Sequence, residues 1–194
     1  MGLRSKKLSV VLLLLLCLSS PISGQFNIPA RPDGLWYGDK RLEPGQILIE
    51  AFLDPVCPDS RDSWPPLKKA LEDYGDRVKL ITAKLWYEYI AEAFFNNQEN
   101  FYGDSTFNLS RAIITDRIVK FSIKALGDSF QSAIESGFEN NATDYLTRVG
   151  FKQGCIRGVY ATPYFFVNGF TFAEPGSAQN YSTWRNVLDP LVGK

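Results

Sequence analysis

Two cysteines, Cys57 and Cys155, remain once the apolar leader of this chain is set aside, and there is no histidine anywhere. Cys57 opens the run Cys57-Pro58-Asp59-Ser60. An apolar stretch, Gln46 to Leu53, precedes it, and a helical pattern, Ser60 to Tyr74, follows. A cysteine at a strand-to-helix junction meets converging backbone N–H groups and the positive end of the helix dipole, and both favour a thiolate. The thiolate is the species that attacks disulfides, and an ordinary thiol is only about 3% ionised at pH 7. Pro58 suits the first helical turn, where its missing N–H costs little. Asp59 brings a negative charge that opposes a thiolate yet favours the helix N-terminus. The Ser60 hydroxyl is available as a hydrogen-bond donor to the Cys57 sulfur.

Composition removes several other chemistries. Without histidine there is no imidazole acid–base catalysis, no Ser-His-Asp arrangement and no His-ligated zinc; two thiols alone make a poor zinc site, so no metal is expected. Two cysteines are also too few for a disulfide framework. The chain carries 21 basic and 21 acidic residues, and without Arg4, Lys6 and Lys7 the balance becomes 18 against 21. No basic block remains to hold nucleic acid. Those three residues, the apolar run Leu8 to Leu18 and the small residues Ser19 to Gly24 read as a signal peptide over 1–24, too short in its apolar part to span a bilayer comfortably. An exported chain gives meaning to three sequons, at Asn108, Asn141 and Asn180, as glycosylation sites on exposed turns. The last residues are not an ER-retention signal, so secretion is favoured, with the ER lumen or vacuole as the other destinations.

The elements that must position Cys57 follow from periodicity. Residues 25–45, rich in Pro and Gly, are expected to wrap the surface as an arm. A strand is expected near 46–53 and a second over 78–81. The helix between them carries Trp64, Leu67, Ala70 and Leu71 on one face, and Pro65-Pro66 predicts a kink or a late start. From about 83 to 156 the pattern is helical: Ile114, Ile118, Phe121 and Ala125 in one segment, Phe130, Ile134 and Phe138 in the next, then Leu146, Val149 and Ile156. Breaks are expected at Gly103-Asp104-Ser105, Gly127-Asp128 and Asn140-Asn141. Of the aromatics Trp86, Tyr87, Tyr89, Phe94, Phe95, Phe101 and Tyr102, most are expected in the core of this block and some along an apolar groove. Asn168-Gly169 predicts a hairpin over 164–172. Ser182 is the expected N-cap of a last helix carrying Trp184, Val187, Leu188 and Leu191.

The pairing of Phe52-Leu53-Asp54-Pro55-Val56-Cys57-Pro58-Asp59-Ser60 with Gly158-Val159-Tyr160-Ala161-Thr162-Pro163-Tyr164-Phe165-Phe166-Val167-Asn168-Gly169 resembles the thioredoxin superfamily, and within it the DsbA-like branch in a secreted, plant-type form. The resemblance covers residues 46–194. It implies an α/β thioredoxin fold with a helical insertion, about 83–156, between the second strand and the cis-proline strand. Pro163 matches the cis-proline, so Thr162 and Pro163, with Pro58, would dock an extended substrate beside Cys57. Dithiol relatives carry a second cysteine where Ser60 stands here, so the site reads as monothiol, with Cys57 as nucleophile and Ser60 as its partner. Relatives also carry a longer connection after the second strand, whereas here Ile81-Thr82-Ala83 runs almost directly into helix. The implied activity is thiol–disulfide exchange with thiols or disulfides of exported proteins, or with glutathione as co-substrate and no bound cofactor. Two alternatives stand beside it: a glutathione-transferase or isomerase-like enzyme, and a non-catalytic peptide-binding module. Cys155 is either a resolving partner for Cys57 or a small buried apolar residue.

Overall fold

A computed structural model describes residues 34–38, 42–82 and 88–194 of the chain. The expected signal peptide and most of the expected arm lie outside these residues, as do Trp86 and Tyr87. Five strands form one sheet: β1 (Leu35–Trp36), β2 (Ile47–Phe52), β3 (Val78–Thr82), β4 (Tyr164–Val167) and β5 (Phe170–Phe172), in the order β1-β3-β2-β4-β5. β2 and β3 are parallel, with Ile47 opposite Val78 and Ala51 opposite Thr82. β4 returns antiparallel along the other side of β2, with Phe52 opposite Tyr164. A parallel pair needs a crossover, and α1 (Pro58–Tyr74) supplies it.

Strand alternation sets the layers. Ile47, Ile49 and Ala51 of β2, Val78 and Leu80 of β3, and Phe165 and Val167 of β4 all enter one buried cluster. α1 adds Trp64, Leu67, Ala70 and Tyr74 to that cluster, and α7 (Tyr181–Leu191) adds Trp184 and Leu188. Trp184 stacks on Phe172 at 4.1 Å and meets the edge of Phe165 at 5.1 Å. Residues of the opposite parity face the other way, among them Glu50, Phe52 and Phe166.

Between β3 and β4 the chain is helical, as the sequence predicts: α2 (Glu88–Phe95), α3 (Gly103–Thr106), α4 (Arg111–Leu126), α5 (Gln131–Glu139) and α6 (Asn141–Ile156). Phe94, Phe101 and Phe121 pack ring on ring at 4.8–5.3 Å, which gives the insertion a small core of its own. No described helix is long and apolar enough to cross a membrane.

Several expectations need correction. Part of the expected arm is strand: β1 pairs antiparallel with β3, Leu35 opposite Thr82. α1 does not start late; it begins at Pro58 and continues through Pro65 and Pro66. Ser63, Trp64 and Leu67, all buried, flank the prolines, and their tertiary contacts offset the lost backbone hydrogen bonds. Gly103-Asp104-Ser105 lies within the short helix α3, and the chain breaks on either side of it. The breaks at Gly127 and Asn140 stand where expected, as the C-cap of α4 and the N-cap of α6. The N-cap of α7 is Asn180 rather than Ser182: its Oδ1 accepts from the Thr183 N–H at 3.0 Å. The strand after α1 reaches Thr82, one residue past the expected end, and residues 83–87 lie outside the description.

Candidate active site

Cys57 is the N-cap of α1, with φ −89° and ψ 122°. A compact turn delivers it there from β2. Asp54 Oδ1 accepts from the Val56 N–H at 2.9 Å, and the Asp54 carbonyl accepts from the Cys57 N–H at 3.0 Å. The Cys57 carbonyl accepts the first bond of the helix, from the Arg61 N–H at 3.1 Å. The first N–H groups of a helix have no intrahelical acceptor, so they remain on the side of the turn from which the cysteine emerges.

Opposite stands the loop between α6 and β4. The Thr162–Pro163 peptide bond is cis, and Pro163 is fully buried. Cys57 Sγ lies 3.3 Å from the Thr162 carbonyl oxygen, 105 positions away in sequence. The structure therefore brings together Cys57, Thr162 and Pro163, while Pro58 is exposed at the first position of the helix. The contact with Thr162 is one that a thiol makes, S–H donating to the carbonyl. A thiolate at that distance would repel the oxygen, so the reacting sulfur must turn toward the helix N–H groups.

Ser60 behaves differently from the expectation. It is completely buried, and its Oγ accepts from the Asp54 N–H at 3.2 Å. It makes no hydrogen bond to the Cys57 sulfur. The helix turn places the hydroxyl under the active-site loop, where it satisfies a backbone donor.

One residue escaped the sequence reading. Gln98 sits in the polar run Asn96-Asn97-Gln98-Glu99-Asn100, which looks like a solvated turn, yet its side chain is 1% exposed. Its Nε2 donates to the carbonyls of Pro55 and Cys57, at 3.0 and 2.8 Å, and its Oε1 accepts from the Tyr102 hydroxyl at 2.9 Å. Only a clue to which side of the turn faces inward would have marked it.

Beside Thr162 opens a cavity of about 870 Å³, lined by apolar side chains such as Phe52, Leu146, Phe151 and Tyr160. Cys155 is exposed and lines it; Cys57, half-buried, does not, and the two thiols are both free. Tyr89, Phe94, Phe95, Phe101 and Tyr102 do not line it either. Phe95 is core, Phe94 and Phe101 are half-buried in the insertion's own aromatic cluster, and Tyr89 is exposed, against the expectation that most of this group is core; the groove is built from α6, the loop after it and residues of β1 and β2. Arg157, just past α6, forms a two-pronged ion pair with Glu50 of β2, Nη2 lying 2.8 Å from Oε1. Its guanidinium sits 4.1 Å over the Phe166 ring.

The three sequon asparagines are all exposed. Asn180 caps α7 through Oδ1, which accepts from the Thr183 N–H and hydroxyl.

No protein-family model matches the sequence, and no curated protein does. Solved structures do. A candidate protein-disulfide isomerase from Pseudomonas syringae superimposes with a TM-score of 0.59 at 19% identity, over 79% of this chain and 97% of its own. Alpha-DsbA1 of Wolbachia pipientis gives 0.56 at 19% identity, over 84% and 92%. MdbA, a thiol-disulfide oxidoreductase from Actinomyces oris, gives 0.53 at 13% identity, over 82% and 84%. Identities this low speak to architecture, and the architecture these structures share with this chain is a thioredoxin fold with a helical insertion ahead of the cis-proline strand.

Proposed function

We propose that this chain is a monothiol thiol–disulfide exchange protein, with Cys57 as its nucleophile. The observation that carries the reading is the placement of Cys57 Sγ at the N-cap of α1, against the Thr162 carbonyl that precedes Pro163. The Cys57 thiolate attacks a disulfide R–S–S–R′; a bond forms between Cys57 and one sulfur, and R′–S⁻ leaves with the electron pair. Ser60 cannot expel the bound thiol, so a second, external thiolate must attack the mixed disulfide and regenerate Cys57. Glutathione supplies that thiol in this reading, and no resident cofactor or metal takes part. Substrates are exported proteins with exposed cysteines, met along the secretory pathway after removal of residues 1–24, and Asn108, Asn141 and Asn180 carry glycans. Thr162 and Pro163 dock the substrate backbone, with Pro58 at the rim.

The test is incubation of the mature protein, in a Cys155→Ser background, with glutathione disulfide, followed by intact mass measurement. A single adduct that disappears in Cys57→Ser and is released by reduced glutathione is expected. No adduct, together with alkylation slower than that of free glutathione, would sink the proposal. A second reading, a peptide-binding module, draws on the cavity of about 870 Å³, whose lining omits Cys57. It predicts apolar peptide binding that survives Cys57→Ser.

A further inference from the structure

One side chain of the insertion, Gln98, hydrogen-bonds directly to the loop that carries the proposed nucleophile. Gln98 lies in the turn after α2, is almost completely buried, and spends both amide hydrogens on the active-site loop, at the Pro55 and Cys57 carbonyls. The Cys57 carbonyl thus accepts two donors, Arg61 N–H from within the helix and Gln98 Nε2 from outside it. Tyr102 holds the amide oxygen and so fixes which end of the amide faces the loop. The sulfur hangs from the same residue whose carbonyl is clasped, so the clasp fixes the backbone from which Sγ turns between the Thr162 carbonyl and the first N–H groups of α1. The amide also turns its positive end toward the loop. Geometry and field act in the same direction, in favour of the thiolate.

We infer that Gln98 is a positioning residue for Cys57, by which the helical insertion sets the exchange equilibrium of the thiol. The inference rests on the exchange reading above. The relevant step is Cys57–S⁻ plus glutathione disulfide giving the Cys57–glutathione disulfide plus the glutathione thiolate. Stabilising the starting thiolate opposes this reaction, and loosening it favours the mixed disulfide.

The experiment compares the full chain in a Cys155→Ser background with its Gln98→Met variant, which keeps the length of the side chain and removes the amide. The equilibrium constant for adduct formation is read by mass after acid quenching, over a series of glutathione ratios. It is expected to rise about threefold in Gln98→Met, in keeping with the net worth of an ordinary hydrogen bond. Tyr102→Phe, which only unpins the amide oxygen, is expected to shift it in the same direction by less. An unchanged constant in a cooperatively folded Gln98→Met protein overturns the inference and leaves Gln98 a strut. If Gln98→Met does not fold, an unchanged constant in Tyr102→Phe overturns it instead. If the parent forms no adduct at all, the exchange reading is what has failed. Alkylation of Cys57 by iodoacetamide at pH 7 then decides for Gln98, with slower reaction in the variant expected and an equal rate refuting it.

Discussion

Replacing Arg157 by methionine removes the cation from a pair that the sheet has largely enclosed. The Glu50 side chain is 12% exposed and that of Arg157 27%. Both carboxylate oxygens are engaged by Arg157, and among the described residues no other side chain pairs with Glu50, so the variant strands a charge on a central strand. Stranding one member of a buried pair costs about 3–5 kcal/mol. Partial exposure of the arginine brings the expected figure to the lower end, and the lost contact with the Phe166 ring adds about 0.5–1 kcal/mol. A loss of about 3.5–4 kcal/mol is therefore expected on the combined account. Urea unfolding followed by far-UV circular dichroism measures it, as a lower midpoint with an unchanged slope. The companion measurement is Glu50→Leu in the Arg157→Met background. Removing both charges relieves the stranded carboxylate, so the double variant should regain about 2 kcal/mol relative to Arg157→Met. A single variant costing under about 1 kcal/mol, with a double variant no more stable than it, would refute the claim that enclosure makes this pair matter.

Ser60→Cys should let the glutathione adduct on Cys57 collapse to an intramolecular disulfide without added thiol, which intact mass would detect as loss of the adduct with two hydrogens missing. Asn168→Ala should cost about 1–2 kcal/mol in urea unfolding, because Asn168 sits at φ 49° and its Oδ1 accepts from the Leu48 N–H. Glu92 accepts from Lys68 and from Trp64 Nε1, and the Lys68 hydrogen bond above all holds its carboxyl below the usual glutamate range. A lowered carboxyl contributes stability that is full above its unfolded value and is lost as pH falls through the folded one. The melting temperature should therefore drop on acidification below about pH 4.3, and Glu92→Gln should flatten that drop.

How much of this was readable beforehand depends on whether the information was local. The apolar runs Ile47–Phe52 and Tyr164–Val167, the Asn168-Gly169 turn and the i, i+4 repeats of the insertion each depend on neighbours in sequence, and each appears in the structure where expected. The joining of Cys57 to Thr162 across 105 positions was legible only through the resemblance of the paired motifs. What was missed required knowing the third dimension. Asn180 takes the place of Ser182 because the helix begins two residues earlier than expected, at Tyr181, which puts Asn180 at the cap. Ser60 gave its hydroxyl to Asp54 because the helix face carrying it turns inward. Gln98 looked like one more polar residue in a polar run, and nothing local distinguishes the one that is buried. The groove, likewise, came from Leu146, Phe151 and Tyr160, whose apolar character reads equally well as core.

The two-residue strand β1 has a consequence for handling the protein. Its seat on β3 is close: a methyl group on Gly34 would come within 2.2 Å of the Thr82 carbonyl oxygen. Together with the Tyr37 N–H, which reaches the Leu80 carbonyl at 3.0 Å, it covers backbone groups that would otherwise be open to another chain. Trimming the protein beyond Tyr37 would remove that cover and turn β3 into a template for strand addition. A two-residue strand far in sequence from Cys57 thus guards the folded protein against self-association.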